Sequence, residues 1–84
     1  MNAPVNKYGT EIRVGQTWAD NDPRSAGRTL RVLSFTDDVE PRAVCSVETE
    51  PGGERAKRWR TVRIKLDRLH PTSTGYRLVE DGAA

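Results

Sequence analysis

The sequence is short of the residues that staple, ligate and span. It has one cysteine, one histidine and one methionine, and no apolar run longer than three residues. One cysteine, Cys45, excludes an intramolecular disulfide and with it a disulfide-stapled secreted scaffold. One Cys and one His (His70) cannot form a zinc site of the usual ligand types. Three apolar residues fall far short of the ~20 that a membrane helix needs. Residues 1–7 contain no apolar core of a signal peptide, so a reducing cytoplasm is the expected location. No cofactor is implied. The chain lacks G-x-S-x-G, a P-loop and HExxH, and no acid–base pair or activated nucleophile can be named. A non-catalytic protein is the expectation.

What remains is modest. Hydrophobic residues make up 35% of 84, and seven of them are alanines. That supplies one small core, in a size range where a domain buries only roughly 60–65% of its unfolded surface. A single domain over residues 11–80 is expected, with a flexible arm over 1–10 and a frayed tail over 81–84. The oligomeric state stays open, and an oligomeric structural component is a third reading for a chain with so little core.

Charge is plentiful, at 31%, and arginine dominates it with eleven residues against three lysines. Arginine binds phosphates and carboxylates through a planar fork and stacks on aromatics. The same bias also arises from a GC-rich genome. The net charge of +2 hides two opposed blocks. Residues 37–50 hold five acids and one base (−4). Residues 54–68 hold seven bases and two acids (+5). Such blocks either neutralise each other across a hairpin or form separate patches.

Helical periodicity is absent over any ten residues, and the strand signals are better. Residues 12–20 alternate around a bend at Val14-Gly15-Gln16. The turn-rich stretch 20–27 follows. Residues 28–36 read as a long strand whose inward parity switches between Leu30/Val32 and Leu33/Phe35, which calls for a bulge. After a turn at 37–41, residues 42–50 place Ala43, Cys45 and Val47 on one face. Pro51-Gly52-Gly53-Glu54 is a strong turn signal. Residues 58–66 place Val62, Ile64 and Leu66 inward. Residues 67–71 read as one helical turn stopped before Pro71. Residues 76–79 close the chain. The expected fold is therefore all-β: a small five-stranded SH3-like barrel with one short helical turn before the last strand. An OB-fold competes, but it prefers longer strands and a helix after strand three.

The run Val14-Gly15-Gln16-Thr17-Trp18-Ala19-Asp20-Asn21-Asp22-Pro23-Arg24, then Gly27-Arg28, resembles the opening of a family of small proteins from actinobacteria and their phages. The stretch from Arg63-Ile64 to Arg68, then Pro71-Thr72-Ser73-Thr74-Gly75-Tyr76-Arg77-Leu78-Val79, is similar to their ending. The resemblance spans about residues 12–80 and leaves 37–59 unmatched. It implies an origin in that group and a compact β fold. The family has no established activity to carry over. A looser likeness to KOW-like and other SH3-like barrels rests on architecture alone.

Two candidate sites follow. In the first, Trp59, Thr61, Arg63 and Lys65 share the outer face by the two-residue period, with Arg58 and Arg60 beside them and Arg55 and Lys57 towards the hairpin tip. An aromatic among bases suits single-stranded DNA or RNA, with a base on the ring and phosphates on the cations. The competing reading folds Trp59 over the barrel end and pairs the bases with Glu48 and Glu50. In the second, the loop bearing Asp20, Asp22, Arg24 and Arg28 contacts a host or phage protein. Turn chemistry explains most of that loop, including its Asp-Asn-Asp, which lacks the spacing of a calcium loop. Trp18 and Cys45 read as core. Thr72, Ser73 and Thr74 read as turn caps, and His70 lacks a named catalytic partner.

Overall fold

A computed structural model describes residues 4–81. The fold is all-β. Five strands, β1 (Thr17–Asp20), β2 (Thr29–Phe35), β3 (Arg42–Thr49), β4 (Thr61–Lys65) and β5 (Tyr76–Glu80), form one antiparallel sheet. The strand order is β4-β3-β2-β1-β5. A 3-10 turn, Leu66–Arg68, lies between β4 and β5, as the sequence suggested. A second, Pro23–Ser25, was not anticipated; Asp22 caps it by accepting from the Arg24 N–H, and Pro23 presets its first residue. The described ladders leave β4 and β5 as edges, so hydrogen bonds do not close the sheet into a barrel. No helix among the described residues is long and apolar enough to cross a membrane.

The parity switch in β2 has a simple cause. Val32 faces Cys45 and Ser34 faces Val44, so Leu33 is an inserted residue. Leu30 and Val32 point inward before the bulge, and Phe35, opposite Ala43, packs on the core after it. Leu33 is turned outward and left 37% exposed. Bulges bend a strand and increase its twist, which lets so short a sheet wrap around one core.

That core gathers Trp18, Leu30, Val32, Ala43, Cys45, Val47, Ile64 and Tyr76 from the strands. Ile12 and Leu69 enter it from outside them. Trp18 can be buried because its indole N–H has a partner. It donates to Gln16 Oε1 at 3.2 Å. Gln16, itself 1% exposed, also accepts from the Arg13 N–H and donates to the Glu11 carbonyl and Asp81. A buried amide satisfied on both ends costs little.

The N-terminal segment differs from the expected arm. Residues 1–3 lie outside the described residues, but residues 4–10 are tied to the domain. Asn6 is buried and donates to the Leu66 and Leu69 carbonyls. Tyr8 stacks on His70 with ring centroids 3.7 Å apart. Val5 bridges Glu11. At the other end, Asp81, the one described residue of the expected tail 81–84, accepts from Arg13 and Gln16. β1 is shorter than the alternation implied. It starts at Thr17 because Val14 and Gly15 turn, with Gly15 at a φ of 93°.

Candidate nucleic-acid interface

The β3–β4 hairpin carries the first candidate site, and its backbone departs from regular pairing at one place. Thr49 bridges Arg55, and the Ala56 N–H donates to the Glu48 carbonyl. The next contact back to β3 is the Val47 N–H donating to the Arg60 carbonyl. Residues 57–59 therefore loop out between two paired points. Trp59 sits in this excursion and is 78% exposed. It was expected in phase with β4, but the strand begins only at Thr61. Among the described residues it stacks on no other ring.

The register decides whether the charged blocks cancel. Arg63 lies opposite Val44, and Lys65 lies opposite Arg42. Glu48 accepts instead from Ser46 Oγ at 2.8 Å. Asp37, Asp38 and Glu40 precede β3 and have no place in its ladder. One cancellation does occur: Arg60 donates from both terminal nitrogens to the two oxygens of Glu50, at 2.5 and 2.6 Å. The guanidinium holds the Glu50 carboxyl below its ordinary range. Among the described residues, Arg55, Lys57, Arg58, Arg63 and Lys65 have no ion-pair partner. Arg42 and Lys65 face one another as like charges, an arrangement that costs stability. Of the six bases placed with Trp59 or extending from it towards the tip, five stay available. Arg60 is engaged in shaping the loop.

A cleft of 370 Å³ opens beside the excursion, lined by Glu50, Glu54, Arg55, Lys57, Arg58 and Arg60. The larger cleft, 650 Å³, lies elsewhere. Three acids, Asp38, Glu40 and Asp67, line it along with two bases, Arg42 and Lys65. Its mixed charge makes it the poorer match to a polyanion.

The second candidate loop is engaged within the fold. Asp20 is 6% exposed, accepts from the Asp22 N–H and pairs with Arg28 at 3.5 Å. Arg28 also donates to the Tyr76 hydroxyl at 3.2 Å. Asp22 holds Arg24 through two side-chain bonds, at 3.2 and 2.8 Å, which keep its carboxyl below the ordinary range. Asn21 bridges Arg77 and the Thr72 carbonyl. These residues spend their polar groups on each other.

The structure does join the two candidate regions. The Gly52 N–H donates to the Ala26 carbonyl at 2.7 Å, and Thr49 Oγ1 donates to the Gly27 carbonyl at 2.6 Å. A Cβ on Gly27 would lie 2.4 Å from the Gly53 nitrogen. Gly27, read in sequence only as part of a turn-rich stretch, thus permits a backbone-to-backbone contact between the 20–28 loop and the hairpin tip. Nothing local in the sequence signals that pairing.

Cys45 is fully buried in the core, and burial pushes its thiol up to about 11. It is placed for packing. His70 lies under Tyr8, and its Nδ1 has no hydrogen-bond partner among the described residues.

Comparison with family models, with curated proteins and with solved structures found no match.

Proposed function

We propose that this protein is a small non-catalytic module that binds single-stranded nucleic acid through the residue 57–59 excursion and the bases of β4. One observation carries the reading: Trp59 is 78% exposed on a looped-out segment, close in the chain to Arg58, Arg63 and Lys65, which have no ion-pair partner among the described residues. A large aromatic left in water forgoes burial worth a few kcal/mol. Its retention there is explained by a ligand that covers it. An unstacked base supplies a flat surface for the indole, and stacking contributes about 1–3 kcal/mol per base. Phosphates then meet Arg58, Arg63 and Lys65.

Three further elements belong to the same proposal. The strand order with its 3-10 turn before β5 supports an SH3-like barrel as the scaffold. The openings and endings quoted above support an origin among actinobacteria and their phages. A cytoplasmic setting fits a free buried thiol.

The test is fluorescence anisotropy with a labelled single-stranded 12-mer. Binding is expected at low salt and should weaken with a log–log slope of about −2, from three phosphate contacts at ~0.7 each. Trp59→Ala should weaken it by about 5- to 150-fold, the equivalent of one stacked base. Absence of binding at low salt would overturn the proposal, as would binding indifferent to salt.

A further inference from the structure

The cleft beside Trp59 contains one feature that a purely electrostatic phosphate groove would not need. Two of its six lining residues are acids. Glu50 is spent: both its oxygens accept from Arg60. Glu54 is not. Its carboxylate has no hydrogen-bond or ion-pair partner among the described residues. It stands in a basic cleft as a free double acceptor.

We propose that this cleft receives a nucleobase carrying an exocyclic amino group, and that Glu54 selects it by accepting from that amine. The inference rests on the single-strand reading above and adds base preference to it. A carboxylate accepts from the C4 amino group of cytosine, whereas thymine and uracil carry at that same position the O4 carbonyl oxygen, which repels it. The neighbouring bases, Arg55 and Arg58, keep the cleft positive in spite of the acid. The geometry is also held in advance. The Glu50 N–H donates to the Glu54 carbonyl at 2.7 Å, and the Gly53 N–H donates to the Glu50 carbonyl at 2.9 Å. The turn is pinned in its own right against the 20–28 loop. A selecting group on a fixed turn discriminates better than one on a wandering loop, because its position need not be ordered on binding.

The experiment compares dC6 with dT6, two pyrimidine strands that differ at this edge. Wild type should bind dC6 about tenfold or more tightly, within the range for one good base-edge contact. Glu54→Gln should flatten that preference, since an amide accepts from one base and donates to the other. It should also raise affinity for both strands by removing a negative charge. Glu54 is exposed, so the substitution should leave the fold intact, which circular dichroism checks. Equal binding of dC6 and dT6 by wild type would overturn the inference and leave the single-strand reading intact. A preference that survives in Glu54→Gln would overturn Glu54 as the selector. Failure of both strands to bind at low salt would overturn the inference together with the reading beneath it.

Discussion

Gly27→Ala and Gly52→Ala form a matched pair that isolates the contact between the 20–28 loop and the hairpin tip. Both glycines adopt positive φ, 95° and 99°. An L-residue there costs about 1–2 kcal/mol in either case. The loss of chain entropy from the unfolded state is common to both and cancels in the comparison. The surroundings differ. Nothing lies within 4 Å of a Cβ at Gly52. A Cβ at Gly27 meets the Gly53 nitrogen at 2.4 Å and the Gly52 carbonyl carbon at 2.9 Å, which are backbone atoms that cannot swing away. The tip must move, and the bonds from the Gly52 N–H to Ala26 and from Thr49 to Gly27 stretch or break. Each is worth about 0.5–1.5 kcal/mol net. Gly27→Ala should therefore cost about 2–5 kcal/mol, and Gly52→Ala only the first ~1–2. For a domain of this size each kcal/mol lowers Tm by about 4–8 °C. Thermal and urea unfolding of the two variants measure the difference. Folded Gly27→Ala, held at low temperature, should also bind an oligonucleotide more weakly, because the excursion hangs from the displaced tip. Equal Tm values for the two variants would refute the reasoning.

Other outcomes follow from burial and charge. Trp18→Ala should destabilise by about 3–5 kcal/mol, as for other buried tryptophans, while Trp59→Ala stays within about 0.5 kcal/mol; urea titrations of both decide it. Cys45 should resist a thiol reagent at pH 8 until denaturant is added. Its thiol is held up near 11 from 9.0, so stability should also decline as pH rises from 9 through about 11, and Cys45→Ser should lose part of that decline, the rest coming from Tyr76, whose hydroxyl burial also pushes up. On the acid side, Asp22, Glu50 and Asp81 all titrate below their ordinary values because of hydrogen bonds to Arg24, Arg60 and Gln16 respectively. Their contribution is present above the usual carboxylate range and lost as pH falls through their lowered values. Tm should therefore drop on acidification, and less steeply in Asp22→Asn.

Much of the sheet was legible because its signals are local. Alternation marked β1, β3 and β4, Pro51-Gly52-Gly53 marked the tip, and the unequal spacing of Leu30, Val32 and Phe35 announced the bulge at Leu33. Features that depend on distant partners were not legible. Asn6 is fixed by carbonyls 60 and 63 residues away, so composition made its segment look like an arm. β4 was extended back to Arg58 because no Gly or Pro interrupts residues 55–60, yet the Val47–Arg60 bond expels residues 57–59 from the ladder. The sequence left the placing of Trp59 open between an outer face and the barrel end, and the strand period behind the first alternative does not apply there. The loop at 20–28 looked like a contact surface because it is polar. Its polar groups turn out to be bonded to Tyr76, Arg77 and each other.

The two indole N–H groups allow the central claim to be tested in one spectrum. Trp18 Nε1 is buried on Gln16, and the Trp59 ring is exposed, so their resonances in a nitrogen–proton correlation spectrum are distinguishable and are assigned with Trp59→Ala. Titration with a single-stranded oligonucleotide at low salt should shift the Trp59 indole signal progressively and leave that of Trp18 in place. An unmoved Trp59 signal at saturating oligonucleotide would contradict the account.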